Sequence, residues 1–133
     1  MDLLAHFRKA RNIVTMPRGA VLFAEGEAGA HMYIVLQGRA EIVVGGKVVE
    51  SAGPGALLGE MALVSSAPRS ATVVAGTECK LVSVDVRQFD LLVRESPEFA
   101  RQVMTVMADR VRRTNERLRE ALSELAARGR RPK

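Results

Sequence analysis

The sequence is poor in the residue types from which disulfides and metal sites are built. Its 133 residues include one cysteine, Cys79, and two histidines, His6 and His31. A single cysteine excludes an internal disulfide and a four-thiolate zinc site. Two histidines are too few for the cluster of histidines with a carboxylate that a metal-dependent β-barrel enzyme needs. We therefore expect no metal centre.

Long apolar runs are also lacking. The longest, such as Met32 to Leu36, have the length of a strand, so no membrane span is expected. The opening decapeptide MDLLAHFRKA lacks the apolar segment of a signal peptide, which predicts a cytoplasmic protein. Hydrophobic residues at 47% and charged residues at 26% are typical of a folded domain.

The positive charge is concentrated towards the C-terminus. Residues 1–100 carry a net charge of −1 and residues 101–133 a net charge of +6, which gives +5 for the chain. A basic segment can bind nucleic acid or an anionic membrane, but we favour a solvated helix face with a basic tail. No aromatic residue lies among these basic residues, which argues against a surface that stacks single-stranded nucleic acid.

From about residue 12 to residue 85, short β-rich runs alternate with glycines. Such spacing is typical of an antiparallel barrel or sandwich, and we predict a β jelly roll. Gly45–Gly46 has the composition of a two-residue hairpin turn. The predicted strands are Ala20–Ala24, Met32–Leu36, Arg39–Val44, Lys47–Ser51, Ser70–Ala75 and Lys80–Asp85.

Helices are predicted at both ends of this β region. The apolar spacing of Leu3, Leu4, Phe7 and Ala10 indicates a short opening helix. A short helix should follow at residues 86–94. A long one should begin after Ser96, run from about residue 97 to 128 and stop at Gly129, which leaves a basic tail at residues 129–133. We thus expect one α+β domain over residues 1–133.

The long helix has an apolar repeat of seven residues. Met104, Val111, Leu118 and Leu125 form one row, and Met107, Thr114 and Ala121 lie between them. This pattern predicts a coiled-coil seam and a homodimer; the alternative is a helix that lies flat on its own domain. A second stripe, comprising Phe99, Val103 and Val106, is expected to face the β domain.

One segment, Leu58 to Val73, carries residues suited to binding an anion. Gly59 opens a helical turn whose free amides attract phosphate, and Arg69 can add a guanidinium. Glu60 is an acceptor that either holds a sugar hydroxyl or neutralises Arg69, and the residues alone leave both options open.

This segment resembles a known family. Gly59-Glu60-Met61-Ala62-Leu63 followed after five residues by Arg69-Ser70-Ala71-Thr72 resembles the phosphate-binding cassette of cyclic nucleotide-binding domains. The stretch from Gly26 to Gly38 is similar to the family's other glycine-spaced signature, and the resemblance covers about residues 12 to 125. Phe23 departs from it, since a smaller β-branched residue or cysteine is more usual there, and we expect this change to affect packing rather than ligand contact.

The resemblance implies a role for each cassette residue. Arg69 would pair with the cyclic phosphate and Glu60 would accept from the ribose 2′-hydroxyl. Met61 would lie near the sugar edge, although Met61 and Leu63 could also be core residues. The implied ligand-binding residues of the cassette are Gly59, Glu60, Met61, Ala62, Arg69, Ser70 and Ala71, with phosphate contacts from backbone amides and the Ser70 hydroxyl.

The resemblance extends into the long helix. Thr114-Asn115-Glu116 is similar to the Thr-Ser-Glu of bacterial activators, in which the first two residues meet the adenine amino group, one from each subunit. Thr114 and Asn115 would therefore contact the base, although Thr114 can also be a polar seam residue that sets register. We favour cAMP as ligand, with cGMP as the alternative because asparagine replaces serine.

Other functions find less support in the sequence. Gly46-Lys47 is followed by Val48, which does not match a phosphate-binding P-loop, and no nucleophile–base pair is apparent, so no enzyme activity is expected. Residues 127–133 are too few for a helix-turn-helix, so specific DNA binding is not expected. We predict a regulatory domain that signals through an unknown protein partner. The alternatives are the sensor of a transcription regulator or channel without its output domain, and a dimerisation module whose pocket is empty.

Overall fold

The computed structural model describes residues 7, 12–65 and 67–129. In this part of the chain, eight strands form two four-stranded sheets in which every neighbouring pair is antiparallel. The first sheet has the order β1 (Ile13–Met16), β8 (Cys79–Asp85), β3 (His31–Gln37), β6 (Leu57–Leu58), and the second has the order β2 (Val21–Phe23), β7 (Thr72–Ala75), β4 (Ala40–Val44), β5 (Lys47–Ala52). The predicted antiparallel β jelly roll with a long C-terminal helix is confirmed.

The core lies between the two sheets, because its members come from both. They are Met16, Val35, Leu58, Cys79 and Leu81 from the first sheet and Phe23, Ala40, Ala52, Val73 and Ala75 from the second. Burying these apolar side chains supplies the main stabilisation of such a fold. The Cys79 thiol is buried among them and donates to the carbonyl oxygens of Arg39 and Thr77.

Pairing between distant strands explains the two strands that the sequence analysis missed. β1 pairs with β8 from Ile13–Val82 to Met16–Cys79, and β6 pairs with β3 through Tyr33–Leu58 and Ile34–Leu57. The predicted hairpin is present: Gly45 and Gly46 connect β4 to β5 with φ of 57° and 79°, as this tight turn requires. The strand predicted from Ser70 begins at Thr72 instead.

Three helices are described in full: α1 (Glu60–Ser65), α2 (Val86–Glu95) and α3 (Pro97–Gly129). A capping box begins α2, in which Gln88 N donates to Asp85 Oδ1 at 2.8 Å and Asp85 N donates to Gln88 Oε1 at 3.0 Å. Ser96 accepts from Phe99 N at the start of α3, as the sequence predicts. Gly129 is the last residue of α3 rather than the first residue beyond it.

The opening helix lies outside the described residues except for Phe7, which is helical and buried. The Phe7 ring meets the Phe99 ring edge-on at 6.3 Å, and Phe89 meets the same ring at 5.9 Å. Edge-on aromatic contacts of this kind stabilise beyond simple burial. Phe99 is completely buried as a result.

The chain divides into two compact units, residues 1–100 and residues 101–133. Within the second unit, the described part of α3 carries a row of apolar side chains that are 56–63% exposed: Met104, Val111, Leu118, Leu122 and Leu125. Val103 is buried and Val106 is half-buried. None of the described helices combines the length and the hydropathy needed to cross a bilayer.

Candidate functional site

The backbone of Arg69 joins the two sequence signatures. Gly26 N donates to Arg69 O at 2.8 Å, and Arg69 N donates to Glu27 O at 2.8 Å. This strand-like pair ties the loop after β2 to the segment between α1 and β7. It therefore brings together two stretches that are about forty residues apart in the chain.

The Arg69 side chain runs inward and is 6% exposed. Its guanidinium donates from Nη2 to His31 O at 2.8 Å and from Nη1 to Gly59 O at 3.2 Å. Arg69 Nε is buried and has no hydrogen-bond partner among the described residues. Both acceptors are uncharged carbonyl groups, so these two bonds orient the guanidinium without neutralising it.

One face of the guanidinium lies on the ring of Phe23. The Arg69 Cζ atom is 4.0 Å from the ring centroid, within the range of a cation–π contact. Phe23 also belongs to the core between the sheets. The expectation that Phe23 affects packing alone is therefore incomplete, because its ring also contacts Arg69.

Two glycines leave room for the guanidinium. A Cβ atom at Gly29 would overlap Nε and Cζ of Arg69, and one at Gly59 would overlap Nη1. Gly59 also has a φ of +73°, which side chains rarely tolerate. A glycine is thus needed at both positions for Arg69 to occupy this slot.

Burial and the neighbouring groups act on the charge of Arg69 in opposite directions. Burial lowers the pKa of the Arg69 guanidinium because it disfavours the charged form, and Tyr33, Glu27 and Glu60 partly offset this by raising it. Glu60, the first residue of α1, is completely buried and close enough to act on Arg69 in this way. A cation held out of water gains stability when an anion binds beside it.

The remaining cassette residues differ in exposure. Met61 is 45% exposed, so the alternative reading of Met61 as a core residue is wrong, and Leu63 is half-buried. Ala62 is buried and its amide donates to Gly59 O at 3.2 Å, which commits that amide to the turn. Ser70 is exposed and Ala71 is buried, and both lie in the bend before β7.

Thr114 and Asn115 belong to the second unit and are exposed on α3. Thr114 Oγ1 donates to the carbonyl of Arg110 in its own helix at 2.9 Å. Their predicted contact with a base stays a prediction.

The sequence analysis missed the groups that hold Arg69 in place. These are the carbonyl oxygens of His31 and Gly59 and the ring of Phe23. The role of a backbone carbonyl cannot be predicted from residue type, because every residue has one. Phe23, in contrast, is unusual for its position, and that departure was a usable signal. No group of three or more potential metal ligands occurs among the described residues.

Comparison with known proteins places this chain in a family. A family model described as "Cyclic nucleotide-binding domain" matches residues 13–96. The chain therefore belongs to the cyclic nucleotide-binding domain family, and it is a cyclic nucleotide-binding regulatory domain.

Three individual proteins illustrate the similarity. A cyclic nucleotide-gated potassium channel of Mesorhizobium japonicum is 41% identical over 98 residues, which are 74% of this chain and 27% of the channel. The CRP-like cAMP-activated global transcriptional regulator of Mycobacterium tuberculosis is 32% identical over 124 residues, covering 90% of this chain and 55% of the regulator. The crystal structure of the Thermus thermophilus catabolite activator protein has a TM-score of 0.73 at 29% identity and covers 84% of this chain and 54% of that one. The chain thus spans only a quarter to just over half of these proteins.

Proposed function

We propose that the chain is a cAMP sensor in which Arg69 binds the cyclic phosphate and α3 carries the response. The observation that carries the proposal is the environment of the Arg69 guanidinium. This group is buried and is oriented by two uncharged carbonyls, and its Nε has no hydrogen-bond partner in the described part of the chain. A buried guanidinium is well suited to a singly charged phosphodiester.

The phosphate would also accept hydrogen bonds from backbone amides. Gly59, Glu60 and Met61 surround the start of α1, and the Ser70 hydroxyl and the Ala71 amide lie directly after Arg69 in the chain. The Ala62 amide contributes less than its position in the motif implies, since it already donates to Gly59 O.

Glu60 would select the sugar. A buried carboxylate accepts hydrogen bonds and donates none, so it suits a ribose 2′-hydroxyl, which can donate. The influence of Glu60 on Arg69 supports a common site for sugar and phosphate.

Thr114 and Asn115 would read the base. Both side chains offer an oxygen that can accept from the adenine 6-amino group, whereas guanine carries an acceptor at that position. Both side chains can also donate a hydrogen bond to the acceptor of guanine, so cGMP is the natural competitor. The experiment below compares its affinity with that of cAMP.

The response would travel through α3. A ligand that contacts this helix in one orientation shifts the balance towards that orientation. The exposed apolar row from Met104 to Leu125 supports a two-fold dimer through this helix, and the two units would then act as one domain. The output would be an unidentified protein partner, or further domains of a longer regulator or channel.

A thermal-shift screen with cAMP, cGMP, 2′-deoxy-cAMP and ATP tests this proposal. At a hundred times its dissociation constant, a ligand that binds only the folded form stabilises it by about 2.7 kcal/mol, which raises Tm by about 10 °C for a domain of this size. We expect cAMP to give the largest rise, 2′-deoxy-cAMP a smaller one because it lacks the partner of Glu60, and ATP almost none. Equal shifts with cAMP and ATP, or none with either cyclic nucleotide, would contradict the proposed ligand.

A further inference from the structure

Phe23 lies beneath the phosphate-binding candidate Arg69, and this contact is not explained by packing alone. The ring centroid is 4.0 Å from Arg69 Cζ, and Phe23 is only 9% exposed. Its ring also lies 6.2 Å from that of Tyr33 in β3, which fixes it from the side. The phenyl ring is therefore packed between Tyr33 and the core, with its face against the guanidinium.

A phenyl ring suits this position for two reasons. Its face attracts a cation, and the attraction is stronger where water is excluded. It also accepts no conventional hydrogen bond, so it leaves the N–H groups of Arg69 free for an anion. A smaller aliphatic residue would provide apolar volume without that attraction.

The guanidinium is thus restrained on three sides. His31 O and Gly59 O hold two nitrogens at its edge, and Phe23 covers one face. A side chain with the flexibility of arginine otherwise loses considerable conformational entropy when it binds a ligand.

We propose that Phe23 is a positioning residue of the cyclic-phosphate site, whose ring orients the Arg69 guanidinium before the ligand binds. This inference rests on the proposed function, because it assigns the arginine the phosphate as its ligand. It predicts that replacing the ring weakens ligand binding because the Arg69 guanidinium is then less well oriented.

A double-mutant cycle separates this role from a contribution to the core. Phe23→Leu removes the ring, Phe23→Tyr keeps it, and Arg69→Gln removes the cation; cAMP affinity is measured by calorimetry or with a fluorescent analogue for each single and combined variant. We expect Phe23→Leu to weaken binding about tenfold in the natural background and less than twofold beside Arg69→Gln. Phe23→Tyr should recover most of the affinity.

A second measurement observes Arg69 without any ligand. In protein labelled with ¹⁵N-arginine, the Nε–H proton of Arg69 should be displaced by the ring current of Phe23, and Arg69→Gln identifies the signal by deleting it. Phe23→Leu should move this proton towards the position of an ordinary arginine. Leu81→Val is the matched control, because Leu81 is buried in the same core as Phe23 but belongs to the other sheet.

The outcomes are distinct. An equal loss of affinity from Phe23→Leu with and without the Arg69 cation, or an Arg69 signal that Phe23→Leu leaves unmoved, would overturn the positioning role while the proposed function stands. Absence of cyclic nucleotide binding by the natural protein would refute the proposed function and this inference with it. Should Phe23→Leu melt below the working temperature, Phe23→Met replaces it in both measurements with the same expectations.

Discussion

In its proposed role as the phosphate-binding residue, Arg69 has two requirements that conflict: it must be desolvated enough to bind an anion strongly, and it must stay oriented while no anion is present. Carbonyl oxygens and an aromatic face meet both, because they hold the guanidinium without cancelling its charge. The arginine itself was predictable from its spacing to Gly59. The groups that contact Arg69 were not predictable. Every residue has a carbonyl, and the contact with Phe23 depends on where β2 lies in the folded domain.

Replacing Arg69 should remove most of the affinity for the cyclic nucleotide. Arg69→Ala deletes one partner of a buried charge pair, which costs on the order of 2–5 kcal/mol of binding free energy. Calorimetry with cAMP should show a loss of about 30-fold or more. Arg69→Lys should bind with intermediate affinity, because it keeps the charge but cannot donate to His31, Gly59 and a phosphate from one planar group.

Arg18→Ala is the control for this change, since Arg18 is exposed and its loss alters the net charge equally. Unaltered affinity in Arg69→Ala, with Arg18→Ala also unaltered, would show that the phosphate binds elsewhere. Circular dichroism should show the native fold in both variants.

At the scale of elements, strand existence followed from composition but strand pairing did not. Six strands were predicted because short β-rich runs bounded by glycine are typical of strands and turns. β1 ends at Met16, just before Pro17, and begins shortly after the stretch interpreted as a helix, and β6 has only two residues. Both are strands because β8 and β3 pair with them, and such distant partners are not visible in a local window.

The exposed apolar row of α3 differs from the predicted seam, because it includes Leu122 and lacks Met107. Leu122 is 57% exposed beside Leu118 and Leu125, whereas Met107 is half-buried. A helix of 33 residues, about 50 Å long, has no reason of its own to expose such a row to water. The row therefore supports the proposed partner helix.

Charges placed on this row should separate the subunits of the proposed dimer. Val111→Glu with Leu118→Glu puts like charges on both sides of the two-fold axis and removes apolar contacts, while glutamate keeps a good helix propensity. Analytical ultracentrifugation should then report a monomer at concentrations where the natural chain is a dimer.

The matched control is Ser123→Glu with Ala127→Glu, which adds two glutamates at exposed positions outside both the predicted seam and the exposed row. It should leave the natural sedimentation unchanged. If the seam variant and the control sediment alike as dimers, the association would use another surface.

At the scale of the whole molecule, the residues proposed to bind the phosphate and sugar and those proposed to carry the response fall in different units. Arg69 and Glu60 lie in residues 1–100, whereas Thr114, Asn115 and the exposed row lie in residues 101–133. The proposed sensor therefore needs an energetic coupling between the two, which the ligand provides if it binds one orientation of α3 better than another.

Hydrogen exchange followed by mass spectrometry tests this coupling. We expect cAMP to slow exchange around Gly59 and Arg69 and also to change it in α3 between residues 110 and 125. The same concentration should leave α3 of the Arg69→Ala variant unchanged. Protection confined to residues 1–100 of the natural chain would contradict the coupling while leaving ligand binding intact.

The fold class, most strands and both C-terminal helices could be inferred from residue order, and the cassette residues from a motif that resembles a known family. These properties depend on local preferences and on short-range spacing, which a linear pattern records. The pairing of β1 and β6, the carbonyls that hold Arg69 and the ring that covers it arose from contacts between residues tens of positions apart. Such contacts depend on how the two sheets pack around one core. They are therefore determined by the tertiary structure and not by any local stretch of the sequence.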